Sequence, residues 1–356
     1  MKVLKTKILV IIMLFLTILC LTYYNGYKSY AIKSTNKQSK IVIEKDSKRI
    51  LYQDNAYEKK PMASTTKILT AITVIENCDI EEIITVSKDT TNIEGSSIYL
   101  EEGEKLSVSD LLYGLMLRSG NDCAETLAKH CSGSVKDFAE LMNKTAKKIG
   151  ATDSNFTNPH GLHDENHYTT AYDLALISSY AMNNETFRTI VSTKRKVIPN
   201  TNKDFDRVLI NKNKMLSNYE GATGIKTGYT KVAGRCLVSS AKRDDMELIC
   251  VVLNCPNMFE DSSNFMENAF SNYKNYNLYD SENVLDFIDN YGKKVGLHVK
   301  NDIIIPLTEI EYKAVKIEYD YPKSVDYELK NDEEIGKVNI YCQNNLIFQE
   351  KIYTIL

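Results

Sequence analysis

Strand-like alternation at two distant places, with helical spacing between them, limits what this chain can fold into more than any other feature. Ile41, Val42 and Ile43 precede a polar turn at 44–48 and then Ile50, Leu51 and Tyr52, the pattern of a β-hairpin. Comparable runs return only at 224–229, 236–241 and 247–253, the last two joined by the charged turn Lys242-Arg243-Asp244-Asp245. In between, apolar residues recur at helical spacing. The spacing predicts a helix from Leu106 to Leu117 behind a Ser107/Asp110 capping pair, and another starting near Asp122 with Ala124, Leu127 and Ala128. Further helices are expected at 138–149, closed by Gly150, and at 171–182 and 261–276. Residues 155–167 read as loop, and the polar, basic stretch 185–218 yields no assignment. Strands at both ends with helices between imply one mixed sheet flanked by helices, an α/β (α+β) arrangement.

Past Leu278 the character changes to short strand-like runs at 295–299, 303–305, 314–317, 338–341 and 346–348, separated by Asn, Asp, Lys and Pro. A small all-β domain is therefore expected over 279–356, after a main domain over 32–278. The first 31 residues stand apart. Lys2, Lys5 and Lys7 lead into the apolar run Ile8 to Thr22, and Ser29-Tyr30-Ala31 offers a cleavage site after Ala31. That is the layout of an export signal; retention as a membrane anchor is the alternative. Leu19 before Cys20 does not suit lipid attachment at that cysteine. Either way the protein is expected outside the cytoplasm, in the cell wall or at the outer face of the cytoplasmic membrane. A formal charge of −3 and the lack of a basic run exclude a dedicated nucleic-acid binder. Seven cysteines follow the signal, an odd number with no Cys-x-x-Cys pair, and read as buried free thiols.

Pro61-Met62-Ala63-Ser64-Thr65-Thr66-Lys67 carries the chemistry, with Pro61 setting up the helix entry. On a helix, residues three apart stack with β carbons about 5–6 Å from each other. A serine needs a neighbouring base, and a lysine serves once burial or nearby cations lower its pKa. Ile68, Leu69, Ile72 and Ile75 would bury one side of that helix. Two more short motifs accompany it. Ser119-Gly120-Asn121 falls between two helices, and Lys226-Thr227-Gly228 falls on a strand, where the glycine would let a substrate backbone approach. A strand bordering the cleft can also pair with an extended peptide. Lys67 and Lys226 facing one pocket repel, which favours the unprotonated form a lysine base requires.

In that order the three motifs closely match a known signature, with Gly120 where class A β-lactamases usually have aspartate, and the chain resembles the low-molecular-mass penicillin-binding proteins, the serine D-alanyl-D-alanine carboxypeptidases. The resemblance runs from about Ile41 to Tyr276 and takes in Asn158-Pro159-His160-Gly161-Leu162, His167-Tyr168 and Ala171 to Ala175; the β-rich tail is similar to that family's C-terminal domain. It implies a β-lactamase/transpeptidase-like catalytic domain that needs no metal or cofactor. It also implies Ser64 as acylated nucleophile, Lys67 as base, Ser119 as proton relay and Asn121 as holder of Lys67 and the substrate amide. Lys226 and Thr227 would bind the substrate carboxylate. Gly228 and Tyr229 would line the site, with an oxyanion hole from the N–H groups of Ser64 and of a residue near Tyr229. Its partners would be peptidoglycan stem peptides and, as covalent inhibitors, β-lactam antibiotics. The chain departs from the family at Asn257-Met258-Phe259, where relatives often carry an arginine; Arg235 is the nearest substitute. It has no Glu-x-x-x-Asn loop between Asn121 and Lys226, which disfavours a class A β-lactamase.

His160, His163 and His167 could suggest zinc, but Pro159 and Gly161 break any helix there, and loop-ordering hydrogen bonds are the reading adopted. The tyrosines read mainly as core and half-buried surface, with Tyr99 and Tyr229, near the motifs, as candidates to line the cleft. Two rivals remain: a β-lactamase or esterase on the same scaffold, and a non-catalytic envelope protein that binds muropeptides.

Overall fold

The computed structural model describes residues 37–356, so the export signal and its cleavage site lie outside the described residues. Among those described, no helix is long and apolar enough to cross a membrane. The chain opens with the hairpin β1 (Ser39–Glu44) and β2 (Ile50–Asp54), then a 3-10 turn at Ala63–Thr66 that runs directly into α1 (Lys67–Asn77). The ribbon of β3 (Ile83–Thr85) and β4 (Lys105–Ser107) leads to α2 (Val108–Tyr113), which ends in a π turn at Gly114–Arg118. Next come α3 (Asn121–Ser132), α4 (Val135–Ile149), α5 (Ala171–Met182) and α6 (Glu185–Ser192). Ser107, Ser134 and Thr170 cap α2, α4 and α5 by accepting from the N–H three residues on, that of Asp110, Asp137 and Asp173. The stretch that resisted assignment holds α6, the hairpin β5 (Arg195–Ile198) and β6 (Arg207–Ile210), and α7 (Met215–Asn218). Then follow β7 (Ala222–Thr230), β8 (Gly234–Arg243), β9 (Met246–Leu253) and α8 (Met258–Asn272).

The main sheet has the order β2-β1-β9-β8-β7. Every pairing in it is antiparallel, which corrects the mixed sheet expected from sequence. The reason is connectivity: β7, β8 and β9 follow one another through tight turns, as β1 and β2 do, and short turns join only antiparallel neighbours. The helical block is thereby inserted between the two edge strands, β2 and β7. β9 is buried at all eight positions, as befits a strand covered on both faces. Alternation sorts its side chains. Ile249, Val251 and Leu253 join Ile41 and Ile43 against the helices, while Leu248, Cys250 and Val252 join Val42 against Met266 and Ala269 of α8.

α1 is buried on every side from Lys67 to Val74, not on one side as its spacing implied, because α3, α4, α5 and α6 all pack on it. The helix expected over 261–276 starts at Met258 and stops at Asn272. Aromatic-rich 274–279 leaves it as β10 (Lys274–Tyr279), whose Tyr276 pairs with Ile305. After it come β11 (Asp286–Asn290), β12 (Lys293–His298), β13 (Ile303–Leu307), the short helix α9 (Glu309–Ala314), β14 (Val315–Asp320), β15 (Ser324–Val325), β16 (Glu334–Cys342) and β17 (Asn345–Ile355). Leu297, Ile305, Val338, Ile340 and Ile352 build a separate apolar core there. Arg49, in the β1–β2 turn, reaches across to the Pro306 carbonyl and Glu311.

Candidate active site

The turn at Ala63–Thr66 is tightly specified. Ala63 has φ +49°, a left-handed conformation that non-glycine residues seldom adopt. Thr65 Oγ1 donates to Met62 O (2.7 Å) and Thr66 Oγ1 to Ala63 O (2.9 Å). Behind them His167 Nδ1 accepts from Thr157 N (3.0 Å), so Nε2 carries the proton and faces Thr66 Oγ1 at 2.8 Å. Burial, with a smaller push from His160, His163 and Lys67, lowers His167 to about 3. The folded state therefore refuses a proton that the unfolded chain takes up near 6.5, and stability is lost as pH falls from there toward 3. His167→Gln should abolish this component, leaving urea unfolding free energies that fall between pH 7 and pH 5 by about 2 kcal/mol less than in the parent. Equal losses in both proteins would refute the assignment.

Ser64 and Lys67 straddle the junction of the turn with α1, and their side chains meet: Lys67 Nζ lies 3.1 Å from Ser64 Oγ. The amine also donates to Asn121 Oδ1 (2.7 Å) and His160 O (2.8 Å). The Asn121 amide is oriented by its own Nδ2, which donates to Glu94 O, so Oδ1 must face the lysine. Burial first, then the charge of Lys226, hold Lys67 well below the usual lysine range. A neutral amine has two protons and one lone pair. In that form, with both protons given to the acceptors Asn121 Oδ1 and His160 O, the lone pair would be left for the Ser64 hydroxyl.

Lys226 lies on β7 at the sheet edge and is 1% exposed. Its Nζ donates to Thr227 O (2.9 Å), and burial, aided by Lys212, lowers it to about 7. Gly228 is needed for a reason other than the one expected: a Cβ there would lie 3.1 Å from Met62 O, Ser64 N and Thr65 N. The glycine admits the Ser64 turn itself, which docks on β7. Thr227 is half-buried, and Tyr229 and Tyr99 are 65% and 82% exposed. Ser119 is buried with φ +66° where the π turn meets α3, and its hydroxyl makes no hydrogen bond among the described residues. Asn121, expected in the loop, is the first residue of α3.

Ser64, Lys67 and Asn121 are thus joined by hydrogen bonds, with Lys226 close enough to repel Lys67. Residues 27–257 match the family profile described as D-alanyl-D-alanine carboxypeptidase, and 273–355 that of the penicillin-binding protein 5 C-terminal domain. The chain belongs to the D-alanyl-D-alanine carboxypeptidase family. It is 36% identical to D-alanyl-D-alanine carboxypeptidase DacF of Bacillus subtilis over 251 residues, 68% of this chain and 64% of that one. With DacA of Haemophilus influenzae it shares 30% identity over 321 residues, covering 85% and 80%. A crystal structure of penicillin binding protein 5 from Haemophilus influenzae superposes with a TM-score of 0.78 at 27% identity, over 89% of this chain and 96% of that one.

On this carboxypeptidase scaffold several residues support the site that were given no part in it from sequence. The loop 158–162 forms the wall behind the Ser64 turn. His160 supplies the carbonyl held by Lys67, Pro159 O accepts from Thr70, and Asn158 Oδ1 accepts from Gly161 N. The His160 ring faces Glu125 at 3.2 Å and that of His167 faces Thr66, so both serve hydrogen bonds to the fold. Asp122, fully buried, accepts from Ile98 N, Leu100 N and Ser97 Oγ and so pins 97–100 over the start of α3. Lys212, from the unassigned stretch, donates to Ser96 Oγ (3.1 Å) and adds positive charge beside Lys226. The Asn-Pro-His-Gly run was the one available signal.

Proposed function

We propose that the chain removes the terminal D-alanine from peptidoglycan pentapeptide stems through an acyl-enzyme on Ser64. The observation that carries this is a fully buried Lys67 amine 3.1 Å from Ser64 Oγ, which burial first and then Lys226 hold well below the usual lysine range. Ser64 Oγ attacks the carbonyl of the penultimate D-alanine while its proton passes to Lys67. The N–H groups of Ser64 and Tyr229 receive the oxyanion. The Ser119 hydroxyl relays a proton to the departing D-alanine nitrogen, and water then releases the shortened stem. Lys226 and the Thr227 hydroxyl take the terminal carboxylate, with Arg235 on the neighbouring strand as additional positive charge. β7, as an edge strand, is placed to pair with the stem backbone. Penicillins would acylate the same hydroxyl. This reading places the protein outside the cytoplasm, delivered by its N-terminal segment, which either is removed or anchors it. It also divides the chain near residue 278, a division supported by a separate apolar core that takes in Tyr276 and Leu278 with the residues after them.

Incubation with an N-acylated Lys-D-Ala-D-Ala peptide should release D-alanine, while penicillin leaves a persistent adduct. Peptide binding without release, or rapid repeated penicillin turnover, would overturn the proposal. kcat/KM should rise with pH as Lys67 loses its proton and fall above about 7 as Lys226 loses its own. Lys212→Met should move the falling limb to higher pH, because removing that charge lets Lys226 hold its proton longer. A limb that stays in place would show that Lys226 does not set it.

A further inference from the structure

α1 and α3 meet at the active site through their first residues, Lys67 and Asn121. They pack against one another and contain 11 and 12 residues. At about 1.5 Å per residue the two reach almost equally far. Side-by-side helices that begin together therefore end together, and each ends in a cysteine. Cys78 follows α1 directly, and Cys131 is the penultimate residue of α3. A contact from His130 Nε2 to Glu82 Oε2 (3.3 Å) independently joins the residue before Cys131 to the chain just past Cys78. Both cysteines are half-buried against the same apolar core, whereas Cys123, Cys236, Cys250, Cys255 and Cys342 are buried. Their side chains interact directly: the contact favours the Cys131 thiolate and pushes the Cys78 thiol up.

We propose that Cys78 and Cys131 form a redox site that closes into an intramolecular disulfide on meeting a low-molecular-mass disulfide, fixing α1 against α3 at the end opposite Lys67 and Asn121. The Cys131 thiolate attacks one sulfur of the oxidant, forming a mixed disulfide and expelling one thiolate. Cys78 gives up its proton to solvent and attacks the Cys131 sulfur, expelling the second. The two cysteines lose two electrons, and the oxidant is reduced to two thiols. An odd cysteine count speaks against a framework that pairs every thiol, and leaves room for this single pair.

The test uses the purified full chain incubated with glutathione disulfide, then alkylated, digested and mapped by mass spectrometry. Expected are one cross-linked peptide pair joining Cys78 to Cys131, two fewer alkylated thiols than in the reduced sample, and an apparent Tm higher by roughly 5–10 °C. Penicillin acylation at 25 °C should stay within about twofold of the reduced protein, since the bond lies at the far ends of the helices. Cys131→Ser should lose both the cross-link and the Tm shift, and Cys78→Ser should stop at a mixed disulfide on Cys131. Full alkylation of both cysteines after oxidation, or a cross-link elsewhere, would overturn the site. A 78–131 cross-link without a change in Tm would overturn its role in holding the helices.

Discussion

Lys67→Met should slow acylation by a fluorescent penicillin about 10³-fold, within the usual range for loss of a positioned base, and Ser64→Ala should abolish the covalent adduct altogether. Methionine nearly matches the lysine stem in volume, so α1 keeps its packing. Two opposing effects bear on stability. Asn121 Oδ1 and His160 O each lose a donor, at about 1–3 kcal/mol apiece. Against that, the protein no longer has to keep an amine in a fully buried site, where burial and Lys226 oppose its charge. The net shift in Tm should therefore be small while the rate collapses. Rates come from gel fluorescence over time and the adduct from intact mass. A Lys67→Met protein that acylates within tenfold of the parent would mean that another group takes the Ser64 proton.

Gly161→Ala is the second large effect, and it acts entirely through backbone. Gly161 has φ +87°, and a Cβ there would sit 1.9 Å from Ala63 O and 2.9 Å from Thr66 Oγ1. Ala63 O is a fixed point of the Ser64 turn, accepting from Thr66, so it has no easy way to give. The expected result is a loss of about 2–4 kcal/mol in stability, combining a strained φ with a clash, and an acylation rate at least about 10²-fold lower because Ser64 moves with the turn. Gly133→Ala is the matched control. It too has positive φ, +76°, but nothing lies within 4 Å of the added carbon. It should cost about 1–2 kcal/mol and leave acylation unchanged. Equal rates for the two variants would show that loop 158–162 does not position the nucleophile.

The helices whose caps and periodicity are local were legible. α5 spans 171–182 as its pattern indicates, and the cap at Ser107 and the stop at Gly150 are present as read. Segments whose state depends on a distant partner were not. Residues 274–276 leave the helix for a strand because β13 is there to pair with, and 185–218 acquires a hairpin because Arg207 of β6 finds the buried carboxylate of Glu104. At the site, Ser64, Lys67, Asn121 and Lys226 could be selected by residue type and order. The buttress of Pro159, His160 and Gly161 could not be given its task, since two of those residues act through their carbonyls and the third through having no side chain. Backbone roles leave little mark in residue identity.

Sequence alone determined which chemical groups this protein has, their order along the chain, and the local periods that make α1, α3 and β7. Tertiary structure decided their states: that α1 is enclosed on all sides, that β7 is an edge, that Gly228 admits the Ser64 turn, and that Lys67 is held well below the usual lysine range. The division has a physical cause. A helical or strand period is a property of neighbouring residues, whereas desolvation, repulsion between two amines and close approach of backbones depend on residues far apart in the chain that only folding brings together.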